Sequence, residues 1–200
     1  MPASVRDPNA VFLNVPFDNQ YEKQFIELIA ATIAVGRTPR CVLEIAETGI
    51  GRLTRLLEII SASQVSVHDL SRVGVPARFN MPFELGLACA VGHFEPPHAF
   101  ILIERVQYRV QRTLSDLNGR DPYIHGGSIR GSINCIVDAL RPSGGRVRVE
   151  DVVPLYRTLA EVGKYLKRQS HPRTLFSRAN FIDLVAAGVE RAQDLKLIKP

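Results

Sequence analysis

The sequence predicts an α/β protein with a mainly parallel sheet that helices cover on both faces. Short, continuously apolar segments alternate with longer segments whose apolar residues recur at helical spacing. Such strands are typical of a parallel sheet buried on both faces, and their alternation with helices implies right-handed crossovers. With 200 residues, of which 46% are hydrophobic, the chain suits one α/β domain with a short appendage.

Strands and helices alternate up to residue 104. The predicted strands are residues 10–15, 40–46, 64–68 and 99–103, and the predicted helices are residues 21–35, 53–61 and 81–91. Pro16 ends the first strand, and Gly36 and Gly92 end the first and third helices. Pro96 and Pro97 introduce the fourth strand. Each predicted strand is thus joined to the next by a helix, as parallel pairing requires.

The alternation weakens after residue 104. Residues 110–118 favour a helix, and residues 121–127 favour a short strand followed by a turn. Residues 128–140 predict another helix, with Ser128 as its N-cap because a serine side chain can accept a hydrogen bond from the first turn.

The last quarter of the chain predicts a helical hairpin. Residues 142–145, with the sequence Pro-Ser-Gly-Gly, are the best linker in the chain. Residues 152–168 and 175–193 then predict two helices, either packed on the preceding domain or used for oligomerisation. We therefore divide the chain into a domain of residues 1–145 and a basic helical extension of residues 146–200.

The positive charge of the chain lies in that extension. Residues 1–140 carry 13 Lys/Arg and 14 Asp/Glu, whereas residues 141–200 carry 12 and 6, so the tail accounts for the whole net charge of +5. A basic tail can contact nucleic acid, an acidic partner or a phosphate-bearing ligand, or it can be a solvated face. Aromatic residues are few there, which makes nucleic acid an unlikely partner without excluding it.

Composition predicts a cytoplasmic protein without membrane contact. No apolar run is long enough to span a bilayer, and the first nine residues lack the apolar core of a signal peptide. Cys41, Cys89 and Cys135 lie far apart in apolar segments and form no Cys-x-x-Cys motif. We expect buried free thiols in a reducing compartment, no metal site and no bound cofactor other than a nucleotide ligand.

Polar residues follow the predicted strands at the edge where ligands bind in such sheets. Asn14 and Asp18 follow the first strand, residues 47–48 the second, and Asp69 and Ser71 the third. The sequence therefore predicts a polar cleft beyond the carboxyl ends of these strands.

Glu84 is the central candidate in that cleft. It is predicted to lie in the first turn of the third helix, where the helix dipole favours a charged carboxylate, with Asn80 as the cap and Pro82 in the first turn. Apolar neighbours, including Phe83 and Leu85, give it a half-apolar setting that suits ribose hydroxyls or a cationic sugar transition state. The alternative is that Glu84 only complements the helix dipole.

Further candidates surround these carboxylates. Arg78 either pairs with Asp69 or holds a phosphate. Arg52 follows a Gly-x-Gly that lacks the third glycine of a dinucleotide fingerprint, and it either meets a phosphate or forms a surface ion pair. Strand alternation turns His68 away from Asp69, towards the core. His125 lies in a loop that can reach the cleft.

The motif Asp69–Leu70–Ser71, followed by Asn80 and by Glu84–Leu85–Gly86, resembles a signature of two related groups. These are the nucleoside 2-deoxyribosyltransferase-like proteins and the bacterial Toll/interleukin-receptor-like (TIR-like) nucleotide-binding domains. Residues 11–18 also resemble their first strand and loop, and the resemblance covers roughly residues 10–140. It implies a flavodoxin-like three-layer sandwich, with Glu84 as a catalytic carboxylate at the anomeric centre of a nucleoside or of NAD.

The same resemblance implies that Asp69 binds or orients the substrate and that Asn14, Asp18 and Ser71 line the pocket. Pro16 and Phe17 replace the tyrosine-rich loop of many transferases, which favours the TIR-like group. The leading hypothesis is a nucleotide- or NAD-binding domain that hydrolyses the N-glycosidic bond. The alternatives are a non-catalytic nucleotide sensor and a nucleoside 2-deoxyribosyltransferase. Because many folds of this class complete their pocket with a neighbouring subunit, we also expect a homo-oligomer.

Overall fold

The structure, a computed structural model, describes residues 6–44, 51–72, 78–141 and 147–199. Within these ranges the strands are β1 Asp7–Asn14, β2 Thr38–Arg40, β3 Ser63–Asp69, β4 Ala99–Glu104 and β5 Tyr123–Ile124. The helices are α1 Glu22–Ala34, α2 Arg52–Ala62, α3 Asn80–Phe94, α4 Arg109–Thr113, α5 Ile129–Leu140, α6 Val149–Gln169 and α7 Arg178–Asp194. Short 3-10 helices lie at Asn19–Tyr21, Val42–Glu44 and Ser115–Leu117.

The strands form one parallel sheet in the order β2-β1-β3-β4-β5. Successive residues of β1 point to opposite faces, so Val11 and Leu13 pack with α1 and α5, whereas Phe12 packs with α2 and α3. Helices therefore cover both faces, and the prediction of an α/β, flavodoxin-like three-layer sandwich is confirmed.

The C-terminal helices pack on the outer side of α1, which is consequently buried almost all round. Two glycines allow this close approach. A Cβ atom on Gly188 would lie 2.6 Å from Cδ1 of Ile33, and one on Gly163 would lie 3.1 Å from Cδ1 of Ile26. The predicted hairpin is thus present and shares its apolar cluster with the sheet. The predicted linker, residues 142–145, lies outside the described residues.

Two predicted boundaries are wrong. The second strand, predicted for residues 40–46, is observed as β2 and ends at Arg40, and a 3-10 helix follows. Residues 45–48, which include the predicted polar tip of this strand, lie outside the described residues. The Glu44 carboxylate closes that turn by accepting from Arg40 Nε at 2.7 Å and from the Cys41 backbone N–H at 3.2 Å. Gly92 does not end α3, which continues to Phe94. A Cβ atom on Gly92 would lie 3.0 Å from the His98 carbonyl oxygen, so this glycine serves close packing inside the helix.

The remaining elements follow the sequence more closely. The Ser128 side chain accepts a hydrogen bond from the Gly131 N–H at 3.0 Å, which confirms the predicted cap of α5. The helix predicted for residues 110–118 is split into α4 and a 3-10 helix. Among the described residues, no helix is both long and apolar enough to cross a membrane.

Candidate functional site

The structure distributes the predicted site residues over opposite faces of the sheet, at its carboxyl edge. A cleft of about 590 Å³ lies between the β1–α1 loop, α2 and α3, and we call it the Glu84 cleft. A second cleft of about 380 Å³ lies between α1 and α5, and we call it the α1–α5 cleft. The Glu84 cleft is lined by Arg52, Arg78, Asn80 and Glu84, together with apolar residues that include Phe17 and Phe83.

Glu84 lies at the floor of its cleft, where only 5% of it is exposed. Burial raises the pKa of its carboxyl group, and a hydrogen bond from Asn80 and the positive charge of Arg52 oppose that rise. Its predicted position in the helix is wrong. Because α3 begins at Asn80, Glu84 falls in the second turn rather than the first. Asn80 is also not the cap, since Phe79 occupies that position without a side-chain hydrogen bond, and the Asn80 side chain serves Glu84 instead.

The walls of the Glu84 cleft are mainly apolar and its rim is basic. Phe83 is 55% exposed and Leu53 is 50% exposed, so two large apolar side chains face solvent beside a buried carboxylate. Arg52 begins α2 and is exposed, and Arg78 lies just before α3. The cleft therefore offers apolar surface, one carboxylate and two guanidinium groups.

Asp18 stands between the clefts. One of its carboxylate oxygens accepts from Arg72 Nε at 3.1 Å and lies 3.6 Å from Nη2 of Arg78. The other accepts from the Gln20 N–H at 3.1 Å and caps a 3-10 helix. Arg78 thus pairs with Asp18 and not with Asp69, the alternative that the sequence had left open. Arg78 lines the Glu84 cleft and Arg72 lines the α1–α5 cleft. The Asp18 carboxylate therefore pairs with one arginine from each cleft.

Asn14 lies beneath the edge of the sheet and is only 2% exposed. Its side-chain nitrogen lies 3.4 Å from the Met81 carbonyl oxygen and 2.9 Å from His68 Nδ1. A carbonyl oxygen only accepts, so Asn14 donates to both groups, and His68 Nδ1 is the unprotonated ring nitrogen. Asn14 therefore fixes the tautomer of His68.

A directed hydrogen-bond chain continues from His68 along the buried side of β3. His68 Nε2–H donates to Ser66 Oγ at 2.8 Å, and the Ser66 hydroxyl donates to His98 Nε2 at 3.1 Å. His98 Nδ1–H donates in turn to the Ser63 carbonyl oxygen at 2.9 Å. Burial, with a smaller contribution from His98, lowers the pKa of His68 to about 3, and burial also lowers the pKa of His98. Both histidines are therefore neutral at physiological pH, and the core position predicted for His68 is confirmed.

Asp69 and Ser71 belong to the α1–α5 side. Asp69 is fully buried, accepts from the Ser71 N–H at 2.7 Å and receives a hydrogen bond from the Gln24 amide nitrogen. Burial raises the pKa of Asp69 to about 6. His125 joins this group, with its Nε2 atom 2.9 Å from Ser71 Oγ. These contacts lie on the opposite face of the sheet from Glu84.

The tautomer of His125 decides what this serine–histidine pair can do. The Gly127 N–H donates to His125 Nδ1 at 3.0 Å, so Nε2 carries the proton and donates to Ser71 Oγ. Burial also lowers the pKa of His125 to about 4, which keeps the ring neutral. In this arrangement His125 cannot take a proton from Ser71. The hydrogen bond between them is therefore structural, and Ser71 is not activated as a nucleophile.

Sequence reasoning missed Gln24 and Glu104. Glu104 is 1% exposed, pairs with Arg109, and ends β4 beside the same network. Arg109 also donates to the Ser71 carbonyl oxygen at 3.0 Å. A charged residue directly after a predicted buried strand was the available signal for Glu104. Nothing in the local pattern marked Gln24.

The structure also bears on metal and thiol chemistry. In the part of the chain that is described, no group of three or more His, Cys, Asp or Glu side chains is arranged to hold a metal ion. The cysteines are free, with Cys41 and Cys135 buried and Cys89 half-buried. Burial raises the pKa of each thiol, in Cys135 to about 12, which makes thiolate chemistry unfavourable.

The fold and the Glu84 cleft define an α/β protein of flavodoxin-like architecture with a carboxylate cleft at the carboxyl edge of its sheet. No protein-family model, no curated protein and no solved structure matches the chain. The resemblance to deoxyribosyltransferase-like and TIR-like proteins therefore stays a prediction.

Proposed function

We propose that the Glu84 cleft binds a nucleotide or NAD and that Glu84 assists hydrolysis of its N-glycosidic bond. The observation that carries this proposal is a nearly buried carboxylate at the floor of a cleft with two arginines at its rim. The volume of about 590 Å³ lies within the usual range for small-molecule sites, roughly 300–1,000 Å³.

Each part of a nucleotide has a matching group in the cleft. The guanidinium groups of Arg52 and Arg78 suit phosphate oxygens, which arginine binds in a bidentate manner. The exposed ring of Phe83 offers a surface on which a base can stack. Glu84 and Asn80 then lie at the level of the ribose.

The chemistry follows from the charge that develops at the anomeric carbon. As the C1′–N bond breaks, its electron pair leaves with the base and the sugar becomes an oxocarbenium ion, which a nearby carboxylate stabilises. From NAD the leaving group is neutral nicotinamide. A water oxygen then bonds to C1′ and releases one proton, which goes to solvent in the case of NAD and neutralises the departing anionic base in the case of a nucleoside monophosphate. Asn80 holds the Glu84 carboxylate by a hydrogen bond, and Arg52 favours its charged form against the effect of burial.

A non-catalytic sensor is the second candidate, and the shared carboxylate of Asp18 favours it. A phosphate that draws Arg78 into the Glu84 cleft weakens its ion pair with Asp18, whose other partner, Arg72, lines the α1–α5 cleft. Ligand occupancy on one face of the sheet is thereby linked to a contact on the other.

Chromatography of NAD and of nucleoside monophosphates, incubated with wild type and with Glu84→Gln, tests the proposal. We expect the variant to lose about 100-fold or more of the cleavage rate. Glu58→Gln is the matched control, because it removes the same charge from an exposed position on α2 and should leave cleavage unchanged.

The other outcomes separate the remaining hypotheses. Cleavage unaffected by Glu84→Gln rejects the role of Glu84. Nucleotide binding by calorimetry without turnover in either protein supports the sensor, and Arg52→Gln should then weaken binding. Base exchange that needs an added second base supports a transferase.

A further inference from the structure

The α1–α5 cleft has the composition of a second ligand site. We propose that it binds a small phosphate ester that carries hydroxyl groups, such as a sugar phosphate, at a site separate from the Glu84 cleft. The two clefts share no lining residue and lie on opposite faces of the sheet. Its volume of about 380 Å³ is sufficient for a ligand of this size.

Two cations that form no salt bridge within the described residues stand at the mouth of the cleft. Arg105 and Lys23 are exposed, and neither has a carboxylate within 4 Å among the residues that the structure describes. The neighbouring arginines differ, since Arg72 is paired with Asp18 and Arg109 with Glu104. Lys23 is influenced by the Glu27 carboxylate only through longer-range charge attraction. A guanidinium and an ammonium group that face one opening and form no salt bridge suit a phosphate.

Gly127 leaves room for the Arg105 side chain. The guanidinium end of Arg105 lies against this glycine, where a Cβ atom would come within 2.8 Å of Nε. Gly127 has a φ of +73°, in the left-handed region that favours glycine. The turn after β5 therefore combines the hydrogen bond to His125 with space for the arginine.

The floor of the cleft is made of groups that recognise hydroxyls. Glu27 is buried at 4% exposure and receives a hydrogen bond from Ser132. The Gln24 side-chain amide donates to Asp69 through its nitrogen, and the amide oxygen of Gln24 has no hydrogen-bond partner among the described residues. The Tyr21 hydroxyl also has no hydrogen-bond partner among the described residues. Burial raises the pKa of this phenol, so the hydroxyl keeps its proton and can donate. The floor thus presents acceptors and one donor.

The distribution of charge sets the orientation of the ligand. The Glu27 carboxylate repels an anion from the floor, whereas Lys23 and Arg105 attract it at the mouth. A ligand with a phosphate at one end and hydroxyls at the other matches both the cations at the mouth and the hydrogen-bonding groups at the floor. An isolated phosphate satisfies only the mouth, and an uncharged sugar only the floor.

Calorimetry with ribose 5-phosphate on the full chain tests the assignment. We expect Arg105→Gln to weaken binding by about tenfold or more, since it removes a charge-assisted hydrogen bond. Arg112→Gln is the matched control, because this exposed arginine of α4 forms no ion pair within the described part of the chain. Glu27→Gln should weaken the binding of ribose 5-phosphate but not of inorganic phosphate.

Failure of this proposal is distinguishable from failure of the proposed function. Binding that is lost in Glu84→Gln and retained in Arg105→Gln places the sugar phosphate in the other cleft and overturns the assignment. Equal losses in Arg105→Gln and Arg112→Gln reduce it to non-specific charge attraction and also overturn it. If ribose 5-phosphate does not bind to wild type, the proposal is overturned whatever the outcome of the cleavage assay.

Discussion

Acidification should destabilise the folded protein through His68. This ring is fully buried, donates and accepts within a complete hydrogen-bond chain, and has its pKa lowered to about 3 by burial. In the unfolded chain the same ring has the ordinary pKa of 6.5. Between these values the unfolded state binds more protons, so the free energy of unfolding falls as the pH falls. The contribution is fully present above pH 6.5 and is lost by about pH 3.

The magnitude follows from the size of the shift. Each pKa unit corresponds to about 1.4 kcal/mol, so the shift from 6.5 to about 3 corresponds to about 5 kcal/mol in all. At pH 5 the loss is about 2 kcal/mol. A typical domain is stable by roughly 5–15 kcal/mol, so the effect of one histidine is measurable well before the protein unfolds.

Urea unfolding of wild type and of His68→Asn between pH 7 and pH 4.5 isolates this contribution. The comparison is necessary because the raised pKa of Asp69 makes the folded protein more stable as the pH falls, which opposes the effect of His68. The contribution of Asp69 cancels when the free energy of unfolding of the variant is subtracted from that of wild type. At pH 7 the variant should be the less stable protein, because the chain from Asn14 to Ser66 is interrupted. Below pH 6.5 the difference in the free energy of unfolding between wild type and the variant should narrow by about 1.4 kcal/mol per pH unit. A gap that stays constant over this range would refute the reasoning.

Three further predictions concern packing. Gly131→Ala should destabilise the protein by about 1–3 kcal/mol, because the new Cβ atom would lie 2.0 Å from the His125 carbonyl oxygen. The same change at Gly86, which has no neighbour within 4 Å and lies inside α3, should instead stabilise it by about 0.5–1 kcal/mol. Urea unfolding measures both, and equal signs would contradict the argument. A chain that ends at residue 145 should show no cooperative unfolding transition by circular dichroism, because α6 and α7 cover α1. A transition as steep as that of wild type would show that residues 1–145 fold alone.

The predictable part of the fold rests on local pattern. Continuous apolar runs gave β1, β3 and β4, and helical spacing gave α1 and α2, because these elements bury the faces that their sequences make apolar. Residues 40–46 misled the same reasoning. They contain an apolar run, but the Glu44 side chain turns back to Arg40 and Cys41, and only the three-dimensional structure shows that bond.

The site was harder to predict because its contacts join distant segments. Gln24 meets Asp69 across 45 positions, and Ser71 meets His125 across 54. No local pattern encodes such a pairing. The start of α3 shows a smaller difficulty: Asn80 is a good N-cap residue, but its side chain bonds to Glu84 inside the helix, and a shift of one residue in the helix start removed Glu84 from the first turn.

The separation of Asp69 from Glu84 follows from the topology that the sequence already implied. In the order β2-β1-β3-β4-β5 the chain moves one way from β1 to β2 and the other way from β3 to β4. Right-handed crossovers therefore place α1 and α3 on opposite faces. Val67 packs on the α1 side, and Asp69, two residues later, points the same way, whereas His68 faces α3. Asp69 thus lies on the opposite face of the sheet from the Glu84 cleft, and any chemistry at Glu84 depends on Asn80, Arg52 and Arg78 rather than on a second carboxylate from β3.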